Sequence, residues 1–114
     1  MKSATFDKSF AFAVEIIKEA EGLRRKQEYE LANQLLRSGT SVGANLAEAE
    51  FAQSNADYMS KYSIALKEAS ESRYWMRLLK ASGNIADETA ERFLRDVDEI
   101  IRILAASVKT AKKE

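Results

Sequence analysis

Leu35-Leu36-Arg37-Ser38-Gly39-Thr40-Ser41-Val42-Gly43-Ala44-Asn45-Leu46-Ala47-Glu48 carries small and polar residues where a helix on a protein surface usually alternates apolar and charged ones. Taken residue by residue, such a stretch looks like a loop. Placed at 100° per residue it separates into three stripes: apolar Leu31, Leu35, Val42, Leu46 and Ala49; small Ala32, Gly39, Gly43 and Ala47; polar Arg37, Ser41, Asn45 and Glu48. The spacing predicts a helix. With so little charged face, that helix is expected to be packed on several sides, by neighbouring helices or by another subunit.

The flanking sequence extends the helical reading. A first helix is predicted over residues 5–25, with Phe6, Phe10, Ala13, Ile17 and Ala20 on one line and Phe12, Val14, Ile16 and Leu23 widening it. Its apolar arc exceeds what one core needs, so part of it is expected to face another subunit. The second helix covers residues 29–51. Ser54-Asn55-Ala56-Asp57 places an acid three residues after a serine, a helix-start signal, and opens a third helix over residues 55–81. Tyr58, Tyr62, Ala65, Ala69, Ser72, Met76 and Leu79 repeat along it at bundle-seam spacing, and Gly83-Asn84 ends it. The fourth, over residues 87–112, sets Ala90, Phe93, Leu94, Val97, Ile100, Ile101, Leu104 and Val108 opposite Glu91, Arg92, Arg95, Glu99 and Arg102. Long helices joined by short connections predict an all-α, antiparallel up-down-up-down four-helix bundle, one domain over residues 1–114.

Composition narrows the chemistry. The 114 residues include no proline, cysteine or histidine and only four glycines. Zinc sites, thiol nucleophiles and imidazole acid–base catalysis are thereby excluded. No cofactor, metal or enzymatic activity is expected. Eighteen basic residues balance eighteen acidic ones, which counts against a protein living by non-specific nucleic-acid binding. No apolar run approaches a membrane span and the first residues lack a signal-peptide core, so a cytoplasmic location is expected.

Four groups of residues stand out as candidate sites. Gly39, Gly43 and Ala47 form a small-x-x-x-small strip; a mid-helix glycine costs about 1 kcal/mol relative to alanine, and close helix packing is the expected compensation. A phosphate-cradling loop would need a preceding strand, which the pattern does not supply. Arg37, Ser41, Asn45 and Glu48 are expected to meet Glu68, Glu71 and Arg73 of the third helix in a buried polar network that fixes register. The competing reading is an enzyme or ligand-binding bundle using Glu48, Glu68 and Glu71 as internal carboxylates. Ile64, Trp75 and Leu78 make a second apolar stripe on the third helix and, with Phe12, are candidates for a subunit interface. Arg24, Arg25 and Lys26 lie at one end of the bundle, and Lys109, Lys112 and Lys113 at the other. They are candidates for nucleic-acid contact, since a cyclic oligomer would turn either cluster into a ring of charge.

Gln34 through Ala49, followed by Asp57-Tyr58 and by Lys61-Tyr62-Ser63-Ile64-Ala65-Leu66-Lys67-Glu68-Ala69-Ser70-Glu71-Ser72-Arg73-Tyr74-Trp75, closely resembles the bacterial four helix bundle protein family. Its members were first noticed as products of intervening sequences in 23S ribosomal RNA genes. The similarity runs from about Ser9 into the last helix. The resemblance implies a small bundle that assembles as a ring, typically a homopentamer, without known enzymatic activity. Related proteins are the accessory variability proteins of diversity-generating retroelements, basic pentamers that bind reverse transcriptase and nucleic acid; the present chain is neutral. The function expected is that of a non-enzymatic oligomeric scaffold or adaptor, with RNA, DNA or reverse transcriptase as candidate partners. A toxin–antitoxin style partner-binding module is a third reading.

Overall fold

The computed structural model describes residues 3–112 and forms four helices from them: α1 (Ala4–Arg25), α2 (Tyr29–Ala49), α3 (Asn55–Ala81) and α4 (Asp87–Lys112). Local chemistry sets their ends. Ser3 caps α1 by accepting from the Phe6 N–H at 3.0 Å, and Ser54 caps α3 by accepting from the Asp57 N–H at 3.1 Å. The Asp57 carboxylate reaches back to the Gln53 N–H, a reciprocal arrangement close to a capping box. At the end of α3, Gly83 takes φ of 76°, while Gly83 and Asn84 donate to the carbonyls of Lys80 and Leu79. That is a Schellman ending. The end of α1 repeats the pattern with Gln27 at φ 66° in the glycine position.

Each helix packs against its sequence neighbours, α1 and α4 close the ring through a lighter seam, and among the described residues the diagonal pairs make no close backbone approach. The architecture is the expected four-helix bundle, 46 Å long and 21 Å across. Its core contains Ile16, Leu35, Val42, Met76, Leu79, Phe93, Ile100 and Leu104, all fully enclosed.

The core face of α1 is rotated from the predicted line. Ser9, Phe12, Ile16, Ala20 and Leu23 are buried, whereas Phe10, Val14 and Ile17 are exposed. Phe12, a candidate interface residue in the sequence, therefore belongs to the core, where its ring meets Phe93 edge-on at 5.9 Å. The glycines explain the rotation. A Cβ at Gly39 would stand 2.7 Å from Ile16 Cγ2, so α1 presses its Ile16 side into the notch on α2, and Gly43 faces the backbone of Ser9. Ala47, third in the small-residue strip, is exposed and lies outside this contact.

Two further departures concern α2. It ends at Ala49 rather than at residue 51, because Phe51 and Ala52 donate to carbonyls three residues back and tighten the chain into turns. The helix is also not enclosed. Ala44 and Ala47 are exposed and Leu36 and Thr40 half-buried along its outer flank.

Candidate functional site

Polar side chains gather on the outer edge between α2 and α3. Arg37 reaches Glu68 Oε1 at 3.2 Å, pairs with Glu71 through its other terminal nitrogen, and donates to Gln34 Oε1. Glu71 also accepts from the Trp75 indole N–H at 2.8 Å. The structure thus brings Arg37, Glu68 and Glu71 together, with Trp75 as a member the sequence assigned elsewhere. The cluster is not buried: the Arg37 side chain is 49% exposed.

The other residues expected in this network go elsewhere. Ser41 donates to the Arg37 carbonyl and Asn45 to the Ser41 carbonyl, both within α2. Glu48 pairs with Lys61 at 2.7 Å, which holds the Lys61 ammonium above its ordinary range through that hydrogen bond. Arg73 turns to α4 and binds Asp98 at 2.7 Å. Nothing in the sequence singled out Lys61 or Asp98, because these partners lie across helices. Glu68 and Glu71 are accordingly both held by Arg37 and Glu48 by Lys61, and no group of three potential metal ligands is assembled among the described residues.

At the end of the bundle where α1 and α3 begin, a cleft of about 640 Å³ opens between Phe6, Leu46, Ala49, Tyr58 and Tyr62. The two tyrosine rings stack with centroids 4.7 Å apart. Burial, aided by a hydrogen bond with Tyr58, pushes the Tyr62 hydroxyl up to about 12.

Two surfaces flank these features. On α1, Lys8 and Glu15 bind Glu99 and Arg92 of α4, so the exposed stripe Phe10, Val14 and Ile17, on the other side of the core line, borders α2. On α2, Leu36 and Thr40 are half-buried and Ala44 and Ala47 exposed, and Phe51, just after the helix, is 84% exposed. Helical spacing puts both sets on the flanks where α1 and α2 adjoin. Ile64 and Leu78 are exposed on α3, and Trp75 packs partly on the core.

The basic clusters are less free than the sequence implied. Arg24 donates to Asn33 Oδ1 and Lys26 to the Asn84 carbonyl, each at 2.7 Å, so both tie down connections. Arg25 and Lys109 are exposed; the Lys112 side chain and Lys113 lie outside the described residues.

These features define a four-helix bundle protein whose distinctive chemistry lies on its outer faces. The chain matches the model of the 23S rRNA-intervening sequence protein family over residues 1–106 and belongs to that family. It is similar in structure to a protein of unknown function from the S23 ribosomal protein family of Bacteroides thetaiotaomicron VPI-5482. The two are 44% identical with a TM-score of 0.89, over 93% of this chain and 99% of the other. No curated protein matches it.

Proposed function

We propose that this protein is a non-enzymatic, cytoplasmic adaptor that assembles with copies of itself, as a ring of five, and presents the assembly to RNA, DNA or a nucleic-acid enzyme such as a reverse transcriptase. The observation that carries the reading is the apolar face of Phe10, Val14, Ile17, Leu36, Ala44 and Ala47. Phe10 alone is 61% exposed, and monomeric proteins rarely leave a contiguous apolar face of this kind open to water. Small residues on the α2 side permit a neighbouring helix to approach closely. Family membership supports the ring and the link to ribosomal RNA genes. The alternative of a carboxylate ligand site has its acids already engaged by Arg37 and Lys61.

Light scattering coupled to size exclusion tests the assembly. The wild-type mass is expected at five times the 12.8 kDa chain. The double variant Phe10→Lys, Ile17→Lys is expected at the mass of one chain, with its helical circular dichroism kept, since both positions lie off the core. A monomeric wild type, or a double variant of unchanged mass, refutes the proposal.

A further inference from the structure

The neutral net charge conceals a segregation of unpaired charge. Most basic side chains are engaged: Lys8, Lys18, Arg37, Lys61, Arg73, Lys80 and Arg92 form ion pairs, and Arg24 and Lys26 hold connections. Among the described residues, Arg25, Lys67, Arg77, Arg95, Arg102 and Lys109 are the cations without such a partner. All but Arg25 stand on the outer side of α3 and α4. Arg95, Arg102 and Lys109 recur every seven residues, so they line one side of α4 at steps of about 10 Å. The pairs Arg73–Asp98 and Lys80–Glu91 fix the register of the two helices and set Arg77 of α3 level with Arg95. Those same pairs neutralise the acids between the rows. Asp87 and Glu88 lie at the start of α4, beyond the ridge; exposed Asp96 follows Arg95 in sequence but projects about 100° round the helix from it; and unpaired Asp7, Glu19, Glu21, Glu28 and Glu30 sit on α1, α2 and their connection.

Three residues before Arg77 on α3, Tyr74 is 57% exposed, its ring edge-on to Trp75 at 5.1 Å. Trp75 is itself held by Glu71. An exposed aromatic ring on the helix next to a row of regularly spaced cations is a combination suited to a single strand: cations follow phosphates and the ring stacks a base. No large apolar side chain is exposed on α4 among the described residues, so the α4 part of the surface lacks what a membrane or a second apolar helix would need.

We infer that the α3–α4 ridge of Arg77, Arg95, Arg102 and Lys109, with Tyr74, binds single-stranded nucleic acid through its phosphates and one stacked base. This deepens the adaptor reading by giving its nucleic-acid partner a surface. That surface lies on α3 and α4, apart from the α1–α2 apolar face.

Fluorescence anisotropy with a labelled oligouridine strand tests it. Wild-type binding at low ionic strength is expected to weaken with added salt at a log–log slope of about −2 to −3, as three or four phosphate contacts require. Replacing Arg77, Arg95 and Arg102 by Gln together is expected to lower affinity by more than tenfold and flatten the slope. Tyr74→Ala is expected to lower affinity about tenfold while leaving the slope in place, because stacking releases no counterions. Arg24→Gln with Lys26→Gln should bind as the wild type does. Absence of binding at low salt overturns the inference, as does a triple variant that binds normally. A duplex held as tightly as the single strand, with Tyr74→Ala silent, does so too. Light scattering on the same variants separates this from assembly: the ridge variants should keep the wild-type mass. A fall in their mass would assign the ridge to contacts between copies and reject it as a strand site.

Discussion

Gly39 and Gly43 look equivalent in sequence, four residues apart on one stripe, yet they occupy different contacts. A methyl at Gly39 would meet Ile16 Cγ2 and Cγ1 at 2.7 and 2.9 Å, and Ile16 is fully enclosed and branched next to its backbone, so it cannot swing clear. Overpacking of this kind costs about 1–3 kcal/mol, offset by up to about 1 kcal/mol of helix propensity. Gly39→Ala is therefore expected to destabilise the fold by about 1–2 kcal/mol in chemical denaturation. At Gly43 the nearest atoms would be 3.7 Å from the methyl, an ordinary contact, and Gly43→Ala is expected to leave stability equal or raise it by up to about 1 kcal/mol. Equal losses at the two sites would contradict the packing account. Tyr62 gives a pH signature at the same scale. Its hydroxyl is raised to about 12 in the fold from about 10 in an unfolded chain. Between these values the unfolded state has released a proton that the folded state keeps, so stability falls as pH rises through the window. The Lys61 ammonium, raised by Glu48, acts in the same direction. Thermal melting across the alkaline range should fall less steeply for Tyr62→Phe than for the wild type, and parallel curves would remove Tyr62 as a cause.

At the scale of elements, much of the fold was legible because the helix-ending signals are local. Ser54 and Asp57 announced α3 and Gly83 ended it, each through bonds to residues within four positions. Gln27 was not legible as a helix terminator, since the turn uses a left-handed conformation that a glycine would have advertised. The face of α1 was misread for a different reason. Apolar residues cover most of its circumference, so periodicity alone allows several core lines, and the choice among them is made by the notch at Gly39 on another helix. The polar candidates divide in the same way. Arg37, Glu68 and Glu71 are long side chains on facing edges, and they met. Ser41 and Asn45 are short, and a backbone carbonyl one turn back offered each a nearer acceptor than any neighbouring helix. The ridge on α4 was visible as a wet face carrying Arg95 and Arg102, but the neutralisation of Asp98 and Glu91 beside it depends on their being taken by α3. Pairing across helices cannot be read along one chain.

The whole molecule has an uneven distribution of support. α2 and α3 each pack broadly on two neighbours, whereas α1 leans mainly on α2, α4 mainly on α3, and the seam between α1 and α4 is light. At the surface that seam is held by Lys8–Glu99 and Glu15–Arg92, exposed pairs of the kind that contribute no more than about 1 kcal/mol each. Opening of a terminal helix should therefore cost less than global unfolding, and amide exchange should be slowest along the middle of α2 and α3. Assembly changes the symmetry of this picture. If the Phe10–Val14–Ile17 face is covered by another copy, α1 gains support beyond α2 and its light seam with α4. Hydrogen exchange read by mass spectrometry is expected to show α1 better protected than α4 in the wild type, and α1 reduced to the level of α4 in the Phe10→Lys, Ile17→Lys variant. Equal protection of α1 and α4 in the wild type would mean that α1 receives no support from a neighbouring copy, and the apolar face would need another occupant.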